Sequence, residues 1–476
     1  MSTEPSILPN GLVERRPPSP LPVGPATLAD VLVDGVANHP DRLALIDGDR
    51  TWTYGELDAA VADQARTSDT SGGSMWFESS GADLIIAILA AFRVGSLWFA
   101  SSRKPDSLAF SGETSPVARN SPAAVAFTSG TTGEPKKVVH THQAMLLPAA
   151  LSTELEPPEP GERIGTPLDL AIANVFVLGP LSAFVRGSTF VVMDRKYASG
   201  LAEDIETHRV TRLFLVSALA HDLVVDETVS SGQLASLDRV ILGGSGASPE
   251  TRKGFRTKFG LRPTLSYGLS EAPTGVVRES VDDPIGSGRG FPLPHIEVDI
   301  VNPDGSQCPV GTEGEICLRP ARKGAWANTW TGTLGYLGRP EATSDLFRDG
   351  LLHTGDLGKL DGDGAVSVTG RLSDVIIRGG QNIDPTNIEG QLRAIDWIED
   401  ALAVGLSDVR LGQRVGVLLV TSGRADTSEL VAELSEATGH PIDEIALVDS
   451  LPRNGMGKLI RSAAMDSFRQ GDIVDT

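Results

Sequence analysis

Along roughly the first 285 residues, short apolar or β-branched runs alternate with amphipathic stretches. The runs at 43–46, 123–127, 189–193, 213–216 and 239–242 predict buried strands. The stretches at 84–93, 200–208 and 248–259 predict helices. Strands that alternate with helices imply parallel sheets covered by helices. The stretch 170–185 is apolar but broken by Asn174, Gly179 and Pro180, which suits a buried core element. The longest uninterrupted apolar run, 84–92, is closed by Asp83 and Arg93. That is far short of the ~20 residues a membrane-spanning helix needs.

Beyond residue 285 the texture changes. Strand-like segments at 297–301, 314–318 and 364–368 are separated by Pro303-Asp304-Gly305 and Asp361-Gly362-Asp363-Gly364, turn signals that argue for antiparallel strands. From 374 a compact α+β pattern follows, with helices at 387–395 and 427–436 and strands at 402–405 and 415–420. The first 25 residues carry Pro5, Pro9, Pro17, Pro18, Pro20, Pro22 and Pro25 with little periodicity, which reads as an extended, mobile leader. The expected organisation is a leader at 1–25, a large α/β domain at 26–373 that includes the β-rich portion, and a small α+β domain at 374–476.

Composition narrows the class of function. With 41 basic against 62 acidic residues the net charge is −21, which opposes nonspecific binding to nucleic acid or anionic membranes. An anionic substrate therefore needs a local positive site. The two cysteines, Cys308 and Cys317, cannot build a disulfide framework. With no secretory signal pattern at the N-terminus, they point to a reducing cytoplasm.

The sharpest chemical signal is Thr128-Ser129-Gly130-Thr131-Thr132-Gly133-Glu134-Pro135-Lys136-Lys137, directly after a predicted strand. Glycines let main-chain N–H groups approach phosphate oxygens, hydroxyls donate to them, and lysine adds charge. It is not a Walker loop, because the G-x-x-x-x-G-K-[ST] spacing is absent. This loop resembles the phosphate loop of the adenylate-forming superfamily, which comprises acyl-CoA synthetases, peptide-synthetase adenylation domains and luciferases.

The rest of that superfamily's motif series follows in order. Gly243-Gly244-Ser245-Gly246-Ala247-Ser248-Pro249 is similar to the segment that holds adenine and shapes the acyl pocket. It also comes near a nucleophile elbow, but Ala247 breaks that pattern. Ser266-Tyr267-Gly268-Leu269-Ser270-Glu271 resembles the aromatic-Gly-x-Thr-Glu motif. The resemblance implies that Tyr267 stacks on adenine beside Gly268, Ser270 meets phosphate and Glu271 holds Mg²⁺. Thr354-Gly355-Asp356 and Gly370-Arg371-Leu372-Ser373-Asp374 match the segments whose aspartate and arginine reach the ribose, with Asp374 as the hinge. The resemblance likewise implies that Gly379-Gly380 begins a loop lining the thiol channel, and that Pro452-Arg453-Asn454-Gly455-Met456-Gly457-Lys458 carries the family's catalytic lysine, Lys458.

Several positions depart from the family pattern. Lys137 replaces a usual glycine, Ser373 stands where lysine is frequent, and the chain between Phe99 and Phe127 is much shortened. Asp169 lies in an apolar segment ahead of Asn174 and Phe176. An unpaired carboxylate there is costly. It suits either recognition of a substrate amine or a helix-cap or core hydrogen-bonding role. The substrate pocket is expected around Asp169, Asn174, Gly244 and Gly246. His140 and His142 form an H-x-H pair with no evident third metal ligand, which favours a structural or phosphate-side role.

The resemblance thus implies an α/β adenylate-forming fold with a hinged C-terminal α+β domain. The implied reaction is ATP- and Mg²⁺-dependent activation of a small carboxylic acid to an acyl-adenylate, followed by transfer to a thiol. CoA is the expected acceptor. The alternatives are a stand-alone enzyme that loads a carrier-protein phosphopantetheine and, from another class, a catalytically silent nucleotide-binding regulator.

Overall fold

The computed structural model describes residues 6–14, 17–67, 73–110, 113–115, 118–128, 135–243, 247–273, 275–379, 381–422, 430–453 and 459–468. The chain forms two compact units. The first comprises Met1–Asp299, Cys317–Thr354 and Asp363–Val366; the second comprises Ile300–Ile316, Gly355–Gly362 and Ser367–Thr476. Asp374 therefore lies inside the second unit. Among the described residues no helix is long and apolar enough to cross a membrane.

The first unit is α/β, as the alternating pattern predicts. Its larger sheet runs Arg289–Pro292, Val277–Glu279, Thr264–Tyr267, Arg239–Leu242, Arg212–Leu215, Arg163–Thr166, Thr189–Val192, Leu43–Asp47 and Arg50–Thr53. The strands from Thr264–Tyr267 to Leu43–Asp47 pair in parallel, with antiparallel neighbours at each end. Parallel strands buried on both faces read as continuous apolar runs. Leu213, Leu215, Val240 and Leu242 accordingly pack with Leu201 and Ile205 of the helix Ala198–His208 and with Phe255 of the helix Pro249–Phe259.

A second, five-stranded sheet runs Gly335–Tyr336, Lys136–Thr141, Pro122–Thr128, Leu97–Ala100 and Ser74–Met75. Its core joins Leu97, Phe99, Val125 and Val139 with Leu12. The apolar stretch at 170–185 is indeed buried. It is helical from Ala173 to Val185, with a wider turn at Val177–Leu181 that accommodates Pro180.

The proline-rich start, expected as a mobile leader, is packed where it is described. Ser6–Ile7 pairs antiparallel with Val13–Glu14, and Leu12 bridges Gly335. Leu12 and Val13 are buried. Proline removes N–H donors but leaves carbonyls. The Pro18 carbonyl accepts from Arg119 at 3.1 Å and the Ser19 carbonyl from Gln143 Nε2 at 2.7 Å. Residues 1–5 and 15–16 lie outside the described residues.

The second unit holds a sheet in the order Gln381–Ile383, Ile376–Arg378, Gly412–Thr421 and Ile398–Asp408, with Glu444–Leu447 parallel to Gly412–Thr421. Side chains alternate across a strand with period two, and both faces here are covered. Ala401, Ala403, Val415, Val417 and Leu419 pack with Ile388, Leu392, Leu430 and Leu434 of two helices. Leu402, Val404, Leu406 and Leu418 pack with Ala464 and Phe468 on the other side.

Candidate active site

The phosphate-loop signal lies, in sequence, between two paired strands. The strands Pro122–Thr128 and Lys136–Thr141 are antiparallel, and their register sets Thr128 opposite Lys136. Ser129, Gly130, Thr131, Thr132 and Gly133 lie between them, outside the described residues, as do Gly244, Ser245, Gly246, Gly380 and Lys458. Alternation along the strand turns Lys137 to the face opposite Lys136.

Lys136 and Glu271 meet through a residue that sequence reasoning did not single out. Tyr336 pairs with Val138 across the strands, which brings its ring diagonally to Lys136. The Lys136 ammonium lies 4.6 Å from the ring centroid. The Tyr336 hydroxyl donates to Glu271 Oε1 at 2.8 Å. The surrounding chain is tied to both neighbouring segments: Thr333 N–H donates to the Glu271 carbonyl at 2.7 Å, and Leu337 N–H to the carbonyl of Lys137, next to Lys136, at 2.9 Å. Gly335, at φ +118°, lets this segment pass; a Cβ there would come within 2.9 Å of the Gly11 carbonyl. The only sequence hint was Tyr336 itself, an aromatic inside Gly335-Tyr336-Leu337-Gly338.

Asn174 and Ser270 come together. Both line a cavity of about 170 Å³ with Ala100, Ser101, Phe127 and Ile172. Asn174 Oδ1 is buried and has no hydrogen-bond partner among the described residues. A buried, unpaired amide oxygen beside a cavity suits a ligand that brings a donor. The volume holds part of a substrate rather than a whole adenylate.

Asp169 does not line that cavity. Its carboxylate accepts the Ala171 N–H at 2.9 Å while its carbonyl accepts the Ile172 N–H at 3.1 Å, a local turn that leads into the helix Ala173–Phe176. Tyr267 ends the strand Thr264–Tyr267, and Gly268 is exposed just beyond it.

The two histidines after the loop are buried and held neutral. Burial pushes the His140 pKa down to about 3, against a smaller upward pull from the Ser270 main chain. Burial likewise lowers His142 to about 4. Its Nδ1 accepts the Leu28 N–H at 3.2 Å, so it is committed to holding the chain at Leu28.

In the second unit, the expected ribose residues form a pair: Arg371 Nε lies 2.9 Å from the Asp356 carboxylate. Gly355 precedes Asp356 at φ +72° and donates to Glu315 at 3.0 Å, which fixes the turn. The expected hinge residue Asp374 accepts from Arg461 Nε at 2.9 Å. Arg461 also binds the buried Glu389 and donates to the Ala403 carbonyl at 2.7 Å. Arg461 was another residue the sequence reading passed over. Gly379 takes φ +57°, and its N–H donates to the Leu411 carbonyl at 2.7 Å.

The described groups are thus a lysine and a glutamate that share Tyr336 in the first unit, and an aspartate–arginine pair in the second. The comparisons give the family. The family described as AMP-binding enzyme matches residues 78–322. The chain is 30% identical over 428 residues to a feruloyl-CoA synthase from Amycolatopsis sp, spanning 87% of this chain and 81% of that one. It is 30% identical over 373 residues to the fatty acid–[acyl-carrier-protein] ligase ScoC of Streptomyces coeruleorubidus, spanning 74% and 68% respectively. The solved AMP complex of O-succinylbenzoate coenzyme A synthetase (MenE) from Bacillus subtilis matches with a TM-score of 0.75 at 26% identity, over 91% of this chain and 97% of that one. The chain belongs to the AMP-binding, adenylate-forming enzymes, and as such is an AMP-forming acid–thiol ligase of the acyl-CoA synthetase type.

Proposed function

We propose that this enzyme is a cytoplasmic acyl-CoA synthetase whose catalytic residues are those matched by the motif series. The carboxylate of a small organic acid attacks the α-phosphorus of ATP, pyrophosphate leaves, and the acyl-adenylate forms. The thiol of CoA then attacks the acyl carbon and AMP leaves. The observation that carries this reading is that Lys136, paired with Thr128 where the phosphate-type loop leaves the strands, meets Glu271 at Tyr336, so that a cation and a carboxylate stand together beside that loop's strands.

Each residue's part follows from its chemistry. Lys136 and the hydroxyls of Thr128, Ser129, Thr131 and Thr132 neutralise and orient the phosphates, with the main chain of Gly130 and Gly133 close beside them. Glu271 fits Mg²⁺: one oxygen is held by Tyr336, and the other has no hydrogen bond among the described residues. Mg²⁺, when bound, supplies charge neutralisation on the phosphate oxygens. Ser270 contacts phosphate beside Asn174. Tyr267, Gly268, Gly244 and Ser245 hold adenine, and Asp356 and Arg371 hold the ribose. Asn174, Gly244 and Gly246 shape the acyl pocket.

Asp374 is the hinge between a domain at 26–373 and one at 374–476. Lys458 serves adenylation, and Gly379 and Gly380 line the thiol channel. Closure around such an intermediate keeps water from hydrolysing it.

The test is ATP–pyrophosphate exchange over fatty, aromatic, amino and hydroxy acids, followed by AMP release with CoA or with a phosphopantetheinylated carrier protein. Exchange with a simple acid, lost in Lys458→Ala, and AMP release accelerated by CoA are the expected results. Absence of exchange with every acid would point to a silent nucleotide-binding protein. The ligase acting on carrier-protein substrates among the relatives supports a second reading, in which the carrier thiol is the acceptor. Faster AMP release with the carrier than with CoA would establish it.

A further inference from the structure

We propose that Tyr336 is a positioning residue that keeps Lys136 and Glu271 apart and ready, one for phosphate and the other for the metal. The inference rests on the nucleotide-binding reading above and adds to it a residue that reading does not contain. Lys136 and Glu271 carry opposite charges and both contact Tyr336, yet no ion pair joins them among the described residues. The phenol stands between them as a neutral spacer. Its ring face attracts the ammonium, and its hydroxyl donates to the carboxylate.

Without the spacer, the simplest arrangement for a lysine and a glutamate that share one neighbour is a salt bridge. Such a bridge would consume the cation that must meet phosphate and the carboxylate that must meet Mg²⁺. Tyr336 is itself 5% exposed. It is fixed by its own main chain: Thr343 Oγ1 accepts its N–H at 2.9 Å, and the Arg339 N–H donates to its carbonyl at 3.0 Å. A buried, main-chain-anchored ring is a rigid support, whereas Lys136 and Glu271 are flexible and need one.

The two contacts separate by substitution. Tyr336→Phe keeps the ring under Lys136 and removes the hydroxyl from Glu271. Tyr336→Leu removes both. Binding of ATP to the full-length chain is titrated calorimetrically without any acid present, with and without Mg²⁺. Loss of a group that orients a metal ligand costs about 10- to 100-fold in metal affinity.

Tyr336→Phe should therefore bind metal-free ATP as the unaltered chain does, within about twofold, while requiring at least about tenfold more Mg²⁺ for the Mg²⁺-dependent gain. Tyr336→Leu should show that loss and also weaken metal-free ATP binding at least threefold, roughly a factor expected of a cation–π contact. Should Tyr336→Leu not fold, Tyr336→Met removes the ring while keeping an apolar side chain of similar reach and leaves Lys136 in place, and the same threefold loss is expected.

An unchanged Mg²⁺ requirement in folded Tyr336→Phe overturns the proposal. So does metal-free ATP binding that survives removal of the ring contact. If the unaltered chain binds no ATP at all, the nucleotide reading itself fails, an outcome distinct from either.

Discussion

Asp356 and Arg371 hold one another at 2.9 Å, but the arginine side chain is 39% exposed. Exposed ion pairs are worth about 0–1 kcal/mol. The role proposed for the pair is accordingly to meet a ligand rather than to add stability. Asp356→Ala should leave the unfolding midpoint of the second unit nearly unchanged and raise the ATP concentration for half-maximal exchange at least tenfold. A large drop in stability with unaltered ATP dependence would reverse the assignment.

Asp169 presents the opposite case. Its carboxylate is already used by the Ala171 N–H, at a place where the chain turns into a helix. Asp169→Asn keeps that acceptor and removes the charge, so exchange with simple acids should persist within about twofold. Asp169→Ala removes the acceptor and should cost about 1 kcal/mol, the usual worth of a local cap. Loss of exchange in Asp169→Asn, confined to amine-bearing acids, would instead make Asp169 a substrate residue.

At the scale of elements, Arg461 joins three pieces of the second unit: Asp374 after one strand, Glu389 on the helix Pro385–Leu392, and the Ala403 carbonyl on the strand Ile398–Asp408. Glu389 is 3% exposed and also accepts the Ala403 N–H at 3.0 Å. Removing one partner of a buried pair costs about 3–5 kcal/mol, because the other is left charged and desolvated. Glu389 keeps Arg393 at 3.7 Å, so Arg461→Met should lower the second unit's stability by the lower end of that range, about 3 kcal/mol, and adding Glu389→Gln should recover part of it. Additive losses in this double-mutant cycle, read by chemical denaturation, would show that the two groups act independently.

Why the sequence shows some of this and not the rest is physical. The strand runs 213–216 and 239–242 were legible because Leu213, Leu215, Val240 and Leu242 are buried and the residues between them, Phe214 and Ile241, are apolar too, and the hairpin at Thr128 and Lys136 because its loop has a distinctive composition. The leader was not legible: its prolines suppress periodicity, and what buries Leu12 is distant in sequence, Leu97, Phe99, Val125 and Val139 together with Leu334. Tyr336 was hidden for the same reason. Its partners come from remote parts of the chain: Lys136 reaches it through strand register, and Glu271 through the main-chain bond from Thr333.

Across the molecule, three histidines of the first unit are buried in neutral form. Burial takes His140 and His295 down to about 3 and His142 to about 4, from an ordinary value of 6.5. Protonating His142 would also break the bond its Nδ1 accepts from Leu28. In the unfolded chain all three titrate near 6.5. Between pH 6.5 and about 4 the unfolded state therefore binds protons that the folded state refuses, and stability falls as the pH falls.

Each group contributes a slope of up to about 1.4 kcal/mol per pH unit, so three together approach about 4 kcal/mol per unit once well below 6.5. Arginine-paired carboxylates do not add to the loss in the upper part of this window. Glu156, for one, stays below the usual range despite its burial, because Arg212 and Arg278 face it. Urea unfolding followed by tryptophan fluorescence at pH 7.5, 6.5, 5.5 and 4.5 should show a plateau above 6.5 and a steep decline beneath it. Replacing His295 with glutamine should reduce that slope by about one third while keeping the plateau. A midpoint constant down to pH 5 would mean that these imidazoles take up protons without unfolding, and that the packing around them is looser than their burial requires.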